Sequence, residues 1–242
     1  MSLSIIIPCR NEEENIKTTI DEISNYLEGK VQNFEINIIN DFSTDKTLDK
    51  VKYISQEKKF VKVFDNSNIG LGGAINLGIE KSTKKYSVIV MADLSDSPKD
   101  ILSYYEEITK KNLDAVLGSR FTSVSLVEDY PKKKLILNRI FNYIVKILFW
   151  HNYNDFTNAF KIYRTNTLKE IKPIVSENFN VFLEIPLKII IRNYRYSIIP
   201  IDWKNRKAGK AKFQVKELGS KYLFTLLYCF FEKILLDKKV NK

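Results

Sequence analysis

Residues 4–16 read SIIIPCRNEEENI, and the order of residue types in this stretch decides the fold class. Residues 4–8 are short, β-branched and apolar, the pattern of a strand buried on both faces of a parallel sheet. The chain then turns polar at Arg10 and Asn11. Glu12, Glu13 and Glu14 follow, placing negative charge where a helix dipole is positive. Ile16, Ile20, Ile23 and Leu27 recur at helical spacing, and Gly29 marks the helix end. Strand, polar turn and helix together form the opening of a βαβ unit.

The unit repeats outward. Residues 36–39 read as a second strand ending in Asn40 and Asp41, 44–56 as a helix, and 60–64 as a third strand. The glycine-bearing stretch 68–74 leads into a helix ending near Ser82, and residues 87–91 form the fourth strand. Pro98 opens the next helix, at a position where proline is tolerated, and residues 115–117 form the fifth strand. Strands separated by helices of this length predict a right-handed, mostly parallel sheet flanked by helices, an α/β fold. Ligands of such sheets bind beyond the carboxyl ends of the strands.

Beyond about residue 130 the pattern changes. Residues 135–150 are apolar and basic with helical character, two short strands are expected around 196–201, and 218–236 form a further helix. That helix holds YLFTLLYCFF (222–231), followed by Lys233, Lys238 and Lys239. No repeat or low-complexity linker divides the chain. The expectation is one catalytic domain over 1–215 and a C-terminal amphipathic, membrane-facing helix over 216–242.

A chain of 242 residues is long enough for a substantial core. The net charge of +10 fits nucleic acid, anionic lipid headgroups, phosphorylated substrates or a solvated lysine-rich surface. The basic residues build no nucleic-acid motif, so no nucleic-acid partner is expected. Cys9 and Cys229 are far apart and form no CxxC pair, which points to a reducing compartment. The apolar run at the start lacks a basic region, and no stretch reaches the roughly 18–20 apolar residues of a membrane span. A cytoplasmic location, peripheral at the cytoplasmic face of a membrane, is expected. With a single histidine, His151, and no cysteine cluster, zinc chemistry has no support. The first strand is not followed by GxGxxG, which disfavours a Rossmann dehydrogenase.

Four strand ends carry ligand-like groups. They are Arg10 to Glu12, Asn40 to Asp45, Asp93 to Asp96, and Gly118 to Arg120. Any one cluster is also explained as a helix cap, Ser43, Thr44 and Asp45 especially. Seven motifs in order carry a resemblance: PCRNEEENI (8–16), NDFSTDKT (40–47), NIGLGGAINLGI (68–79), MADLSDSP (91–98), LGSRF (117–121), DFTNAFKIYR (155–164) and WKNRKAGKAKF (203–213). The chain resembles family 2 glycosyltransferases of the GT-A fold, in the branch of dolichyl-phosphate mannosyl- and glucosyltransferases, over roughly residues 3–222.

The resemblance implies transfer of a sugar, with inversion, from a GDP- or UDP-sugar donor to a polyprenyl (dolichyl or undecaprenyl) phosphate. It implies a nucleotide pocket of Pro8, Arg10, Glu12 and Asp41, with Gly70, Gly72 and Gly73 allowing close backbone approach to the donor. A turn with a tight helix–sheet contact explains those glycines equally. Arg206 and Lys212, in a loop shared with Lys210, would contact the donor diphosphate. Arg120, with Lys134 and Asn138, would meet the acceptor phosphate. Asp155 would lie near the sugar, with Glu184 on a helix facing the same cleft.

Asp93 is the expected catalytic and metal-binding carboxylate, holding Mg2+ or Mn2+ with Ser95 or Asp96 and the donor phosphates. The family pattern is Asp-x-Asp, whereas this chain has Met91 first, and Asn40 replaces the first of two acids after the second strand. Metal binding should therefore be weak.

A polyprenyl phosphate is already mostly ionised near neutral pH and needs no general base. A saccharide hydroxyl would need one, Asp155 or Glu184, and a family 2 transferase of glycan or cell-envelope synthesis is the competing reading. A non-catalytic nucleotide-sugar-binding module is the other. Residues 140–150 and 222–236 combine apolar side chains with lysine flanks, which suits a membrane surface, a membrane-protein partner or a homodimer contact. His151 reads as an interfacial or capping residue.

Overall fold

The computed structural model describes residues 2–93, 95–204 and 215–240. Its elements run β1 (Ser2–Cys9), α1 (Ile16–Leu27), β2 (Asn33–Asn40), α2 (Thr47–Glu57), β3 (Val61–Asp65), α3 (Leu71–Lys81), β4 (Tyr86–Ile89), α4 (Pro98–Lys110) and β5 (Ala115–Ser119). There follow β6 (Val127–Glu128), α5 (Lys132–Phe149), β7 (Lys161–Arg164), α6 (Thr165–Glu170), α7 (Val181–Ile191), β8 (Tyr196–Pro200), β9 (Trp203–Lys204) and α8 (Val215–Val240).

Seven strands form one sheet in the order β3-β2-β1-β4-β7-β5-β8, and β6 pairs with β9 in a small second sheet. All neighbours in the large sheet are parallel except β7, which runs antiparallel to both β4 and β5. The expected α/β sheet is therefore present, with one reversed strand that the sequence pattern did not reveal. A four-residue strand gives too little alternation to read, and Lys161 at its start argues for a surface. Both of its neighbours bury it instead.

β1 shows why the sheet holds helices on both faces. Side chains alternate along a strand, and Leu3, Ile5 and Ile7 join a core with Ile16, Ile20 and Ile23 of α1, Val51 of α2 and Ile101 and Ile108 of α4. Ile6 points the other way, toward Ala74, Ile75 and Ile79 of α3 and the apolar residues of α5, α6 and α7. Each such side chain contributes about 1.5–3 kcal/mol on full burial.

α7 is buried nearly all round, with Glu184 and Lys188 inside and Pro186 within the helix, so it shows no helical period in sequence. α8 packs along α7 and buries Thr225, Leu226 and Cys229, and Glu232 pairs with Arg192 Nη2 at 2.6 Å. Its outer face exposes Leu223, Phe224, Leu227, Phe231 and Leu235. No helix among the described residues is long and apolar enough to cross a membrane.

Below β1 and β2, Glu35 is a buried carboxylate. It accepts hydrogen bonds from Ser4 Oγ (2.7 Å), the Thr83 N–H (2.8 Å) and Lys62 Nζ (2.8 Å). Burial by itself would raise its pKa, but the donors, Lys62 foremost, outweigh it and bring the value down to about 2. A depressed folded-state pKa stabilises the fold above the usual 4.5 and loses that stabilisation as pH falls toward about 2. Glu35→Gln should therefore lower unfolding stability at neutral pH by about 2 kcal/mol. In urea titrations the gap to the parent chain should narrow steadily across that acid window; a gap independent of pH would refute the assignment.

Candidate active site

The parallel strands β1, β2, β4 and β5 all end at one edge of the sheet, which brings the four polar clusters together. β7 runs the other way, so it begins where they end: Lys161 is in register with Ile89 of β4 and Leu117 of β5. The loop before β7 is thereby delivered to the same edge, carrying Asp155.

At the β2 end, buried Asp41 accepts hydrogen bonds through Oδ1 from Asn66 Nδ2 (2.8 Å) and the Gly70 N–H (2.9 Å). Gly70 has φ +117°, and a Cβ there would lie 2.7 Å from the Glu177 carbonyl oxygen. At Gly72 a Cβ would lie 1.8 Å from the Ser176 carbonyl oxygen, and its N–H donates to Glu177 O at 2.9 Å. The close approach these glycines permit here is to the chain itself, the turn and tight contact of the alternative reading.

Pro8 is buried opposite Ile39, Arg10 is exposed, and the Glu12 N–H donates to Thr47 Oγ1 at 2.8 Å. Asp45 accepts from the Glu13 and Thr47 N–H groups at 3.2 and 2.9 Å, just before α2, whose N-cap position is Lys46. Asn40 donates to Asp65 Oδ1 at 2.8 Å.

At the β4 end, Asp93 Oδ1 accepts the Ser95 N–H at 3.1 Å, and Asp96 Oδ2 accepts the Met91 N–H at 3.3 Å. Burial, and then the charge of Asp93, push the Asp96 carboxyl up to about 7. A divalent cation would relieve this crowding of negative charge, and the hard oxygens of Asp93, Ser95 and Asp96 suit Mg2+ or Mn2+. No group of three His, Cys, Asp or Glu side chains among the described residues is placed to hold a metal, so donor phosphates would have to complete the shell.

At the β5 end, Arg120 and Asp155 form a buried bidentate pair. Nη2 donates to Oδ1 at 2.7 Å and Nε to Oδ2 at 2.9 Å, with the Arg120 backbone N–H also on Oδ2 at 2.9 Å. Burial opposes the charge of Arg120, but Asp155 offsets it and holds the pKa above the ordinary arginine range. Asp155 is wholly inaccessible and both its oxygens are engaged by Arg120. The guanidinium lies 5.3 Å from the Phe121 ring, 5.7 Å from Tyr130 and 5.9 Å from Trp203. The β6–β9 pair brings in Trp203, whose register partner is Val127.

Nearby, Lys134 Nζ is 6.0 Å from the Tyr130 ring, and Asn138 Nδ2 donates to Thr157 Oγ1 at 2.9 Å. Arg206, Lys210 and Lys212 lie outside the described residues.

Glu184 does not face the cleft. Fully buried, it accepts the N–H groups of Val175 (3.0 Å) and Ser176 (2.8 Å) and pairs with Lys188 at 3.0 Å. The earlier expectation is corrected: Glu184 holds the loop against which Gly70 and Gly72 pack. His151 accepts the Tyr153 N–H through Nδ1 at 2.8 Å, and burial, then Lys146, push its pKa down to about 4. It is therefore neutral at physiological pH.

Sequence reasoning missed Lys161. Its Nζ is buried beneath the 154–160 loop and donates to the carbonyls of Phe156 and Asn158. Burial pushes its pKa down to about 7, against the pull of Asp155. The lysine at the start of KIYR was the available signal.

Removing one member of a buried ion pair leaves the other unpaired, which costs about 3–5 kcal/mol. Asp155→Ala should destabilise the fold by that amount in chemical denaturation, and Asp155→Ala/Arg120→Met should recover much of it. Equal stability of single and double variants would refute the pairing energetics.

Comparison with known proteins follows the same lines. The chain is 23% identical over 237 residues to a dodecaprenyl-phosphate galacturonate synthase of Rhizobium johnstonii, covering 96% of this chain and 67% of the relative. It is 27% identical over 225 residues to a dolichol-phosphate mannosyltransferase of Pyrococcus furiosus, covering 90% and 61%. The chain thus spans under two thirds of the latter's length. In fold it matches glucosyl-3-phosphoglycerate synthase from Mycobacterium tuberculosis, solved with Mn2+, uridine-diphosphate and phosphoglyceric acid, at TM-score 0.69 and 16% identity, covering 95% of this chain and 78% of that one. The sheet is that of a GT-A fold. Residues 4–172 match the description of glycosyl transferase family 2, and with most of its length so matched the chain belongs to that family.

Proposed function

We propose that this chain transfers a sugar, with inversion, from a GDP- or UDP-sugar to a polyprenyl phosphate at the cytoplasmic face of a membrane. One observation carries the lipid acceptor. α5 presents Lys134 and Asn138 beside the Arg120 cage, while its outer face exposes Ile136, Leu137, Ile140, Tyr143, Ile144 and Ile147, with Trp150 following at 90% exposure. A phosphate group and its hydrocarbon tail are suited by one helix. The names of the distant relatives point the same way.

Asp41, Glu12 and Arg10 would hold the nucleoside, and the glycine turn would shape its pocket. Asp93, with Ser95 and Asp96, would hold a divalent cation, which when bound would neutralise charge on the departing diphosphate. Arg206 and Lys212 would meet the same diphosphate. Arg120 would orient the acceptor phosphate with the N–H groups that Asp155 leaves free, and Lys134 would add a point charge. An ionised phosphate oxygen then attacks the anomeric carbon in line, and the sugar–diphosphate bond breaks with both electrons leaving on oxygen. No general base is needed. That Asp155 and Glu184 are both committed to structural partners supports this over attack by a saccharide hydroxyl.

The test is transfer from a panel of labelled nucleotide sugars to a short-chain polyprenyl phosphate with Mg2+ or Mn2+. Lipid-linked sugar is the expected product, and Asp93→Ala should reduce its rate roughly a hundredfold or more with the melting temperature retained. Donor binding without transfer would instead support the binding-module reading that Met91 motivates, and transfer only to saccharides would overturn the lipid acceptor.

A further inference from the structure

Helix α5 has a third face, between its buried side and its exposed apolar stripe. Arg139, Asn142, Tyr143 and Lys146 fall at positions i, i+3, i+4 and i+7 of the helix, and with Asn154 they line a cavity of about 130 Å3. Among the described residues neither Arg139 nor Lys146 has an acidic side chain within ion-pair distance. The Arg139 guanidinium lies over the Phe121 ring at 4.6 Å.

The amides of this cavity are fixed. Asn142 is buried, with Oδ1 accepting the Phe156 N–H at 2.6 Å and Nδ2 donating to Asn138 O at 2.9 Å. Asn154 accepts from Ser119 Oγ at 2.6 Å and donates to Phe121 O at 3.0 Å. Arg139 and Lys146 therefore line the cavity beside amides whose polar atoms are engaged within the chain, and the exposed side chains Ile140, Tyr143 and Ile147 lie on the same helix.

This is the arrangement that suits an anion with a hydrocarbon neighbour. Lysine and arginine at the border of an apolar helix face reach the level of lipid headgroups while the face enters the acyl boundary. We infer that the Arg139–Lys146 cavity binds the phosphate of a bulk anionic phospholipid, as a site separate from Arg120, Lys134 and Asn138. The inference rests on the membrane-docking reading above and gives it a residue-level anchor. A lipid phosphate held there sets the depth and rotation of α5 against the bilayer, and so the height at which a polyprenyl phosphate meets Arg120.

The full chain should be co-sedimented with vesicles of phosphatidylcholine alone and of phosphatidylcholine with phosphatidylglycerol. The parent chain should bind the anionic vesicles more tightly. Arg139→Ala/Lys146→Ala should weaken that binding roughly tenfold or more, and transfer to a short-chain acceptor in detergent should be unchanged. A control pair on α2 and the loop after it, Lys52→Ala/Lys59→Ala, removes equal charge from a remote surface and should change little.

Equal binding by the Arg139→Ala/Lys146→Ala chain and the parent would overturn the site, as would equal losses in both pairs. Ile140→Ser/Ile147→Ser separates the two claims: it should abolish binding to both vesicles. If it binds like the parent, the docking reading itself fails. Saturable binding of inorganic phosphate without vesicles, lost in Arg139→Ala/Lys146→Ala, would assign the cavity to a free anion and overturn the lipid source.

Discussion

The buried pair of Arg120 and Asp155 joins two parts of the chain that arrive at the site from opposite directions. Arg120 closes β5, and Asp155 belongs to the loop that precedes the reversed strand β7. Neither charge is tolerable without the other at this depth. The pair also fixes a third element, because Phe121, Tyr130 and Trp203 gather round the guanidinium. Trp203 opens the basic motif that runs on to Phe213, so the entry point of that motif is set by the same ion pair. Lys161 adds a second charge below the loop, where its amine donates to two carbonyls. The β5 end of the edge is thus organised by charge satisfaction rather than by apolar packing.

The β2 end is organised differently. Asp41 grips the Gly70 turn, and the turn packs on the carbonyls of Ser176 and Glu177 with no room for a side chain. That loop is in turn held by Glu184, whose charge is matched by Lys188 in the interior of α7. Substitution at Glu184 would therefore reach the pocket through three steps of rigid contact without Glu184 touching a ligand. The carboxylates of Asp155 and Glu184 are buried and satisfied within the chain, whereas Asp93 and Asp96 are partly exposed.

Much of this was legible in the sequence because parallel strands and amphipathic helices write their periods plainly. β1 to β5 and α1 to α4 follow from SIIIP, the helical isoleucines and Pro98, and all four strand-end clusters do meet. What was hidden lacks a period. β7 is four residues long and carries a lysine, and α7 is buried nearly all round, so neither shows a period. The roles of Asp155 and Glu184 were illegible for a related reason. A carboxylate near a site reads as a ligand until its partner is known, and the partners are 35 residues away for one and in the irregular main chain eight and nine residues earlier for the other.

The two departures from the family pattern, Asn40 and Met91, each have a neighbour that makes physical sense of the change. Asn40 Nδ2 donates to Asp65 at 2.8 Å across the β2–β3 register. An aspartate at position 40 would set two carboxylates against each other there, so the neutral amide keeps the strand ends together while Asp41 retains the charge. At position 91 the lost side-chain carboxylate is followed by Asp96, whose Oδ2 is held by the Met91 N–H. The loop after β4 therefore still presents two carboxylates, but the second comes from later in the chain and is bound to the main chain where the first would have been. Burial and the charge of Asp93 raise the pKa of that second carboxylate to about 7, and Asp93 and Asp96 are the residues that would hold a cation there. Loss of the first acid thus changes how negative charge is stored beside Asp93 more than it changes the number of oxygens the loop can offer.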